Sequence, residues 1–223
     1  MPVYLFDIDG TLLRSGGAGQ AAMEVGLERA FGITAPTEGI SVAGRTDFAI
    51  IGDLLEYHSV DPTDENRQRI INEYLSHLPA ELADREGLIL PGVVELLDRL
   101  NTLDDAHLGL LTGNLRRGAE LKLTHFELIH HFKWGGFGDE HAHRDDVARA
   151  AFAEVLSEMP HAETDTTWVI GDTPADVQCG RAIGASVLAV ATGLYSTEQL
   201  EETEPDHLVE DFSDVGAILD LLT

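Results

Sequence analysis

Val3 to Leu12 reads VYLFDIDGTL. An apolar run, Val3-Tyr4-Leu5-Phe6, ends in two carboxylates spaced by one residue, Asp7 and Asp9, with Gly10 and Thr11 directly behind. A short apolar run closed by a turn signal predicts a buried strand, and Gly10 lets the chain turn sharply past it. Acids in such a place carry a desolvation cost. A bound cation is the simplest offset, and two hard oxygen ligands at a strand end suit magnesium. The alternative is a pair of solvated turn acids capping the next segment. Three later stretches, each at a predicted strand end, favour the first reading.

Those stretches lie where the pattern becomes strand and helix in alternation, from Gly92 onward. The spacing predicts a helix over 93–103, a strand over 107–112 (HLGLLT), a helix over 115–125 and a short strand over 133–137. A helix over 145–158, a strand over 167–171 (TWVIG), a helix over 174–183 and a strand over 186–191 (SVLAVA) follow. Residues 207–209 predict a last short strand and 215–222 a closing helix. Such alternation predicts an α/β fold, a doubly wound parallel sheet with helices on both faces. Ligands of these sheets sit outside the carboxyl ends of the strands. There the sequence places Asp7 and Asp9, then Thr112-Gly113-Asn114, then the region before Arg144, then Gly171-Asp172-Thr173-Pro174-Ala175-Asp176. Carboxylates, a hydroxyl, a cation and turns rich in backbone N–H groups are what phosphoryl transfer needs.

Between Leu13 and Leu88 no strand is evident. Helical spacing marks 21–31, 47–58 and 63–84, with Pro62 and Thr63 suited to the start of the last. A helical block after one strand predicts an inserted domain, with Gly16 to Gly19 and Gly87 to Pro91 as hinges. Gly17 to Ala22 fits GxGxxA, but those glycines come well past Asp9, not in the turn directly after the strand that a dinucleotide fingerprint requires.

DxDGT, a strand ending in Thr-Gly-Asn, a basic residue and GDTPAD together resemble the haloacid dehalogenase superfamily. The closer resemblance is to its phosphoglycolate-phosphatase-like and beta-phosphoglucomutase-like branch, and it covers the whole chain. It implies a Rossmann-like core over residues 1–14 and 89–223 with a helical cap over 15–88. It implies Asp7 as nucleophile, Asp9 as general acid and then base, and Mg2+ held by the Asp7 carboxylate, the Asp9 backbone carbonyl and Asp172. Thr112, with the Gly113 and Asn114 backbone, would bind the phosphoryl group; Asp176, Gly10 and Thr11 would support the site. The family usually supplies lysine at the third position. Here Arg144 fits best, and Lys133, at the start of a strand, lies at the wrong end. Arginine still offers charge and a two-pronged donor. In the cap, Gly44-Arg45-Thr46-Asp47 has two readings: Arg45 reaches down to an anionic substrate, or Thr46 or Asp47 caps a helix beside a solvated arginine.

The activity so implied is a magnesium-dependent phosphatase acting on a small phosphorylated metabolite, phosphoglycolate-like or a sugar phosphate, as monomer or homodimer. A sugar-phosphate mutase shares every core residue named, and a non-catalytic binding protein would need a broken site. A dehalogenase is disfavoured by Asp9. His141 and His143 read as a loop at the rim, His130 and His131 as charged groups closing a helix, and Cys179 as a packed core thiol.

The chain has 223 residues, enough for a core domain and a smaller insert. Forty acids oppose fourteen bases, for a net charge of −26, and Lys122 and Lys133 are the two lysines. So acidic a chain is expected to avoid nucleic acid and anionic membranes. The apolar runs are too short for a membrane span. The start of the chain predicts no signal peptide, and a single cysteine fits cytoplasmic residence. Acid spread over the whole chain suits work in concentrated salt, which screens self-repulsion. The melting temperature is expected to rise between low and molar KCl; a flat or falling value contradicts this reading.

Overall fold

A computed structural model of the chain describes residues 2–158 and 164–222. β1 (Val3–Phe6) leads through β2 (Leu13–Arg14) into α1 (Ala18–Phe31), α2 (Asp47–Tyr57) and α3 (Asp64–Asp84), and β3 (Leu88–Ile89) returns. The α/β succession follows: α4 (Val93–Asn101), β4 (His107–Leu111), α5 (Arg116–His125), β5 (Gly135–Gly136), α6 (Arg144–Glu158) and β6 (Thr167–Gly171). It ends with α7 (Pro174–Ile183), β7 (Ser186–Val190), α8 (Thr197–Glu201), β8 (His207–Val209) and α9 (Val215–Leu222).

Six parallel strands form one sheet in the order β5-β4-β1-β6-β7-β8. The chain first builds outward from β1 on one side, then crosses to the other, so its switch point lies at the carboxyl end of β1. A crevice for ligand opens at that place in such sheets. The side-chain alternation of β1 shows why the strand is apolar throughout. Tyr4 and Phe6 join a core with α4, α5 and α9, while Val3 and Leu5 join a second core with α6 and α7. Cys179 is buried in that second core, as the sequence implies.

α1, α2 and α3 share a third core that includes Met23, Leu27, Ile51, Leu55, Ile70 and Tyr74. Gly26 lets α1 and α3 approach closely, because a Cβ there would lie 3.3 Å from the Ile70 carbonyl oxygen. The crossing between helical block and sheet differs from the expected strandless linker. β2 and β3 pair antiparallel, Leu13 with Ile89 and Arg14 with Leu88. Two residues per strand are too few to leave a periodic signal.

Other departures are local. The strand expected over 133–137 contracts to Gly135–Gly136, and α8 had no counterpart in the sequence reading. Ser196 and Gln199 form a capping box at its start. His130 and His131 close a short 3-10 turn, Ile129–His131, not an α-helix. The His131 ring bonds to the Asn101 amide at 2.9 Å, and burial with His130 alongside pushes its pKa down, away from the charged form. Among the described residues no helix is long and apolar enough to cross a membrane.

Gly26→Val should force α1 off α3, at a cost of about 1–3 kcal/mol. The urea midpoint of the helical block should fall; an unchanged midpoint contradicts the close approach.

Candidate active site

Asp7 is the residue at which β1 leaves the sheet. Its N–H still donates to the Ile170 carbonyl of β6 at 2.9 Å, and its carboxylate is buried. Ile8 points into the core, so Asp7 and Asp9 emerge on the same side of the strand. The parallel register pairs Phe6 with Ile170 on one side and with Leu110 on the other. Asp172 and Thr112, two residues beyond those partners, therefore flank the mouth of β1. Gly10 has φ 89°, and a Cβ there would strike the Asp172 carboxylate. Thr11 Oγ1 donates to Asp172 Oδ1 at 2.9 Å, and Thr192 Oγ1 holds the Gly10 carbonyl at 2.6 Å.

The carboxylates of Asp7, Asp172 and Asp176 bring oxygens within 4.8 Å of one another, and all three residues are buried. Asp176 closes the capping box of α7, accepting from the Thr173 N–H at 3.0 Å and the Thr173 hydroxyl at 2.7 Å. Arg144, the first residue of α6, reaches Asp176 Oδ1 at 2.5 Å and Asp7 Oδ1 at 3.4 Å. It also donates to the Leu111 carbonyl at 3.2 Å, while its buried Nε–H has no partner among the described residues. Lys133 is exposed at the far end of β5. Burial pushes the Asp7 and Asp172 carboxyls up; Arg144 opposes this at Asp7, whereas Asp176 and Asp7 add to it at Asp172. Three buried acids facing one guanidinium leave an excess of negative charge that a hard divalent cation would balance, and the oxygen donors fit one.

A second cluster lies beside the first, and sequence reading missed half of it. Asp9, two-fifths exposed to the cleft, accepts at Oδ2 from Lys122 Nζ at 2.6 Å and from the Asn114 side chain at 2.8 Å. Lys122 also donates to Asn114 Oδ1 at 2.6 Å. Burial works against the charge on Asp9, but Lys122 and the donated hydrogen bonds outweigh it and hold the carboxyl below its usual range. Lys122 sits on the stripe Leu115, Gly118, Ala119, Lys122, the buried face of α5. A lysine on an otherwise apolar stripe, in a chain with two lysines, was the available signal.

Thr112 is buried, and its hydroxyl accepts from the Asn114 N–H at 3.3 Å and its amide at 2.8 Å. The Gly113 carbonyl accepts from the Asp47 N–H at 2.7 Å, and a Cβ on Gly113 would run into the Arg45 carbonyl. Thr46, not Asp47, caps α2, accepting from the Ala49 N–H at 3.2 Å. Asp47 turns inward and takes the Leu115 N–H at 2.9 Å, with the Tyr74 hydroxyl at 3.5 Å. Burial pushes its pKa up to about 6 against the pull of Lys122. The Arg45 guanidinium meets Asp53 at 2.6 Å instead of reaching toward Asp7, although Arg45 borders the same cavity. That cavity, of about 530 Å³, separates the helical block from Asp7, Asp9, Thr112, Lys122, Arg144 and Asp172. His141 and His143 stand in the loop before α6, and neither belongs to the group of candidate metal ligands found among the described residues.

The comparisons with known proteins agree with this architecture. A curated relative from Dickeya dadantii (strain 3937), named "Probable phosphatase IndB", is 27% identical over 220 residues, covering 96% of this chain and 91% of its own. The solved structure of CbbY from Rhodobacter sphaeroides in complex with phosphate superposes with a TM-score of 0.75 at 20% identity, covering 99% of this chain and 100% of that one. A predicted phosphoglycolate phosphatase from Haemophilus somnus 129pt gives 0.70 at 18% identity, with 98% of each chain covered. The model of the haloacid dehalogenase-like hydrolase family matches residues 4–190, spanning every strand-end motif described above. The chain belongs to the haloacid dehalogenase-like hydrolases.

Proposed function

We propose that the protein is a magnesium-dependent phosphatase that hydrolyses a small phosphomonoester through a phosphoryl group carried on Asp7. The observation that carries this reading is the buried trio Asp7, Asp172 and Asp176, paired among the described residues with Arg144 and adjoining Thr112-Gly113-Asn114. Asp7 and Asp172, with the Asp9 carbonyl, would hold the cation, and Asp176 would keep Arg144 in place. A bound Mg2+ would supply charge to neutralise phosphoryl oxygens and keep Asp7 ionised.

The residues of the chain divide the remaining work. The Asp7 carboxylate is the nucleophile: one of its oxygens forms a bond to phosphorus as the bond to the ester oxygen breaks. Asp9 has first to take up a proton, which the negative charge of the bound ester would favour against the pull of Lys122; it gives that proton to the departing oxygen, then accepts one from the water that attacks the aspartyl-phosphate. Lys122 and Asn114 fix Asp9 Oδ2, so its carboxylate does not wander between the two steps. The ionised Asp9 that Lys122 favours is the base required in the second step. The unpartnered Nε–H of Arg144 is a donor in reserve for a phosphoryl oxygen.

The division into a core over 1–14 and 89–223 and a cap over 15–88 belongs to the same proposal, with β2 and β3 as the neck between them. Asp47 is then the cap's latch: backbone and side chain both bind the segment that follows Thr112. A latch there excludes water from the phosphoryl group while the cap is down. The intact acid set argues against a purely binding role.

Phosphate release from para-nitrophenyl phosphate should require Mg2+, stop with a chelator, and fall at least ~1,000-fold in Asp7→Asn. Release that survives chelation or the substitution contradicts the mechanism. Asp47 gives a second test. Its folded pKa is raised above the usual carboxylate value, so its contribution to stability is full below about pH 4 and is lost as pH rises through about 6. Relative to wild type, Asp47→Asn should therefore gain stability on the order of 2 kcal/mol between pH 4.5 and pH 7.5. A difference that does not change with pH contradicts the buried latch.

A further inference from the structure

The cavity over Asp7 is polar on the sheet side, and on the cap side an aliphatic patch lies among polar groups that are bonded to one another. Its roof is made by Met23 of α1, Ile40 and Val42 of the α1–α2 connection, and Ile50 and Leu54 of α2; Leu194 closes the rim from the sheet. The polar roof groups are already occupied. The Thr37 hydroxyl meets the His58 ring at 2.8 Å, and the Gln20 amide donates to Glu24 at 3.1 Å. Tyr74 faces Asp47.

The cations that border the cavity are held by protein groups as well, the free Nε–H of Arg144 being left for the phosphoryl end. Lys122 holds Asp9, Arg144 holds Asp176 and Asp7, and Arg45 holds Asp53. Arg14, at the neck, donates to the Thr192 carbonyl at 2.5 Å. Glu24 and Asp47 add negative charge on the cap side. A second anion on the substrate would meet these acids, and a set of sugar hydroxyls would meet aliphatic side chains that return no hydrogen bond.

We propose that the cap selects phosphomonoesters whose alcohol portion is apolar and uncharged, an aliphatic or aromatic alcohol, in preference to sugar phosphates and phosphorylated acids. This rests on the phosphatase reading and narrows it. The aliphatic roof takes the carbon chain out of water, while Asp7, Thr112 and Arg144 take the phosphoryl group. The same geometry disfavours a mutase, whose bisphosphate intermediate needs a second anion site under the cap.

The test compares kcat/KM for hexyl phosphate, glucose 6-phosphate and phosphoglycolate, with Mg2+ present. All three leave as primary alcohols, so leaving-group reactivity contributes little to the comparison. Hexyl phosphate should exceed both others at least ~10-fold. Equal or faster turnover of either competitor overturns the proposal. If phosphoglycolate leads and Arg14→Gln abolishes that lead, the neck arginine anchors a second anion and the apolar assignment is wrong.

Binding separates the two levels of the argument. Titration of the Asp7→Asn protein with the same three compounds reads the cap without turnover, and hexyl phosphate should again bind at least ~10-fold tighter. Preferential binding with no phosphate released by wild type from any ester would remove the phosphatase reading and leave the cap's selectivity standing. Binding without preference overturns the selectivity whatever the turnover. Val42 is half-exposed, so Val42→Arg should fold; it should narrow the hexyl-to-phosphoglycolate ratio at least ~10-fold, and an unchanged ratio counts against the roof.

Discussion

Too much negative charge is buried at one point of the sheet for the protein's own cations to balance. Asp7, Asp172 and Asp176 converge at the carboxyl ends of β1 and β6, and Asp9 and Asp47 stand next to them. Arg144 and Lys122 are the buried cations among the described residues. Each is placed by the helix that follows a strand, α6 after β5 for Arg144 and α5 after β4 for Lys122. The remaining deficit of positive charge is one that a bound hard cation would balance.

The two basic residues do different work. Arg144 ties Asp7 to Asp176 and so links the ends of β1 and α7. Lys122 ties Asp9 to Asn114 and also carries the charge that Asp47 needs from the other side of the cleft. Asp9, Asn114 and Asp47 are thereby joined through one ammonium group. Removing it would strand acids from both halves, and one-sided removal of a buried ion pair is costly. The contact that positions Asp9 therefore also bears on Asp47, on the helical side of the cleft.

Much of the sheet and its acids was legible because each strand end combines an apolar run with a turn signal and a polar residue. Asp7, Asp9, Thr112, Asp172 and Asp176 all follow that rule, and the structure brings them together. Lys122 lies instead on the buried stripe of α5, in a helix and not at a strand end, and before the stretch in which the basic motif residue is expected. Asp47 looked like one of two equivalent caps. Thr46 takes the cap because its hydroxyl meets the Ala49 N–H, which frees Asp47 to turn into the cleft. Arg45 could be read toward the substrate because its partner Asp53 comes eight residues later, inside α2, while Arg45 itself lies before the start of that helix. The neck strands carry two residues each, below any periodic signal, while the capping box at Ser196 was readable and was passed over.

The central claim is that Asp7 carries the phosphoryl group. Acid quench during turnover of hexyl phosphate, followed by peptide mass mapping, tests it directly. One phosphoryl group on the Asp7 peptide, labile to hydroxylamine and absent without Mg2+, is the predicted result. Sustained turnover with that peptide unmodified, or with the label on another residue, would contradict the account.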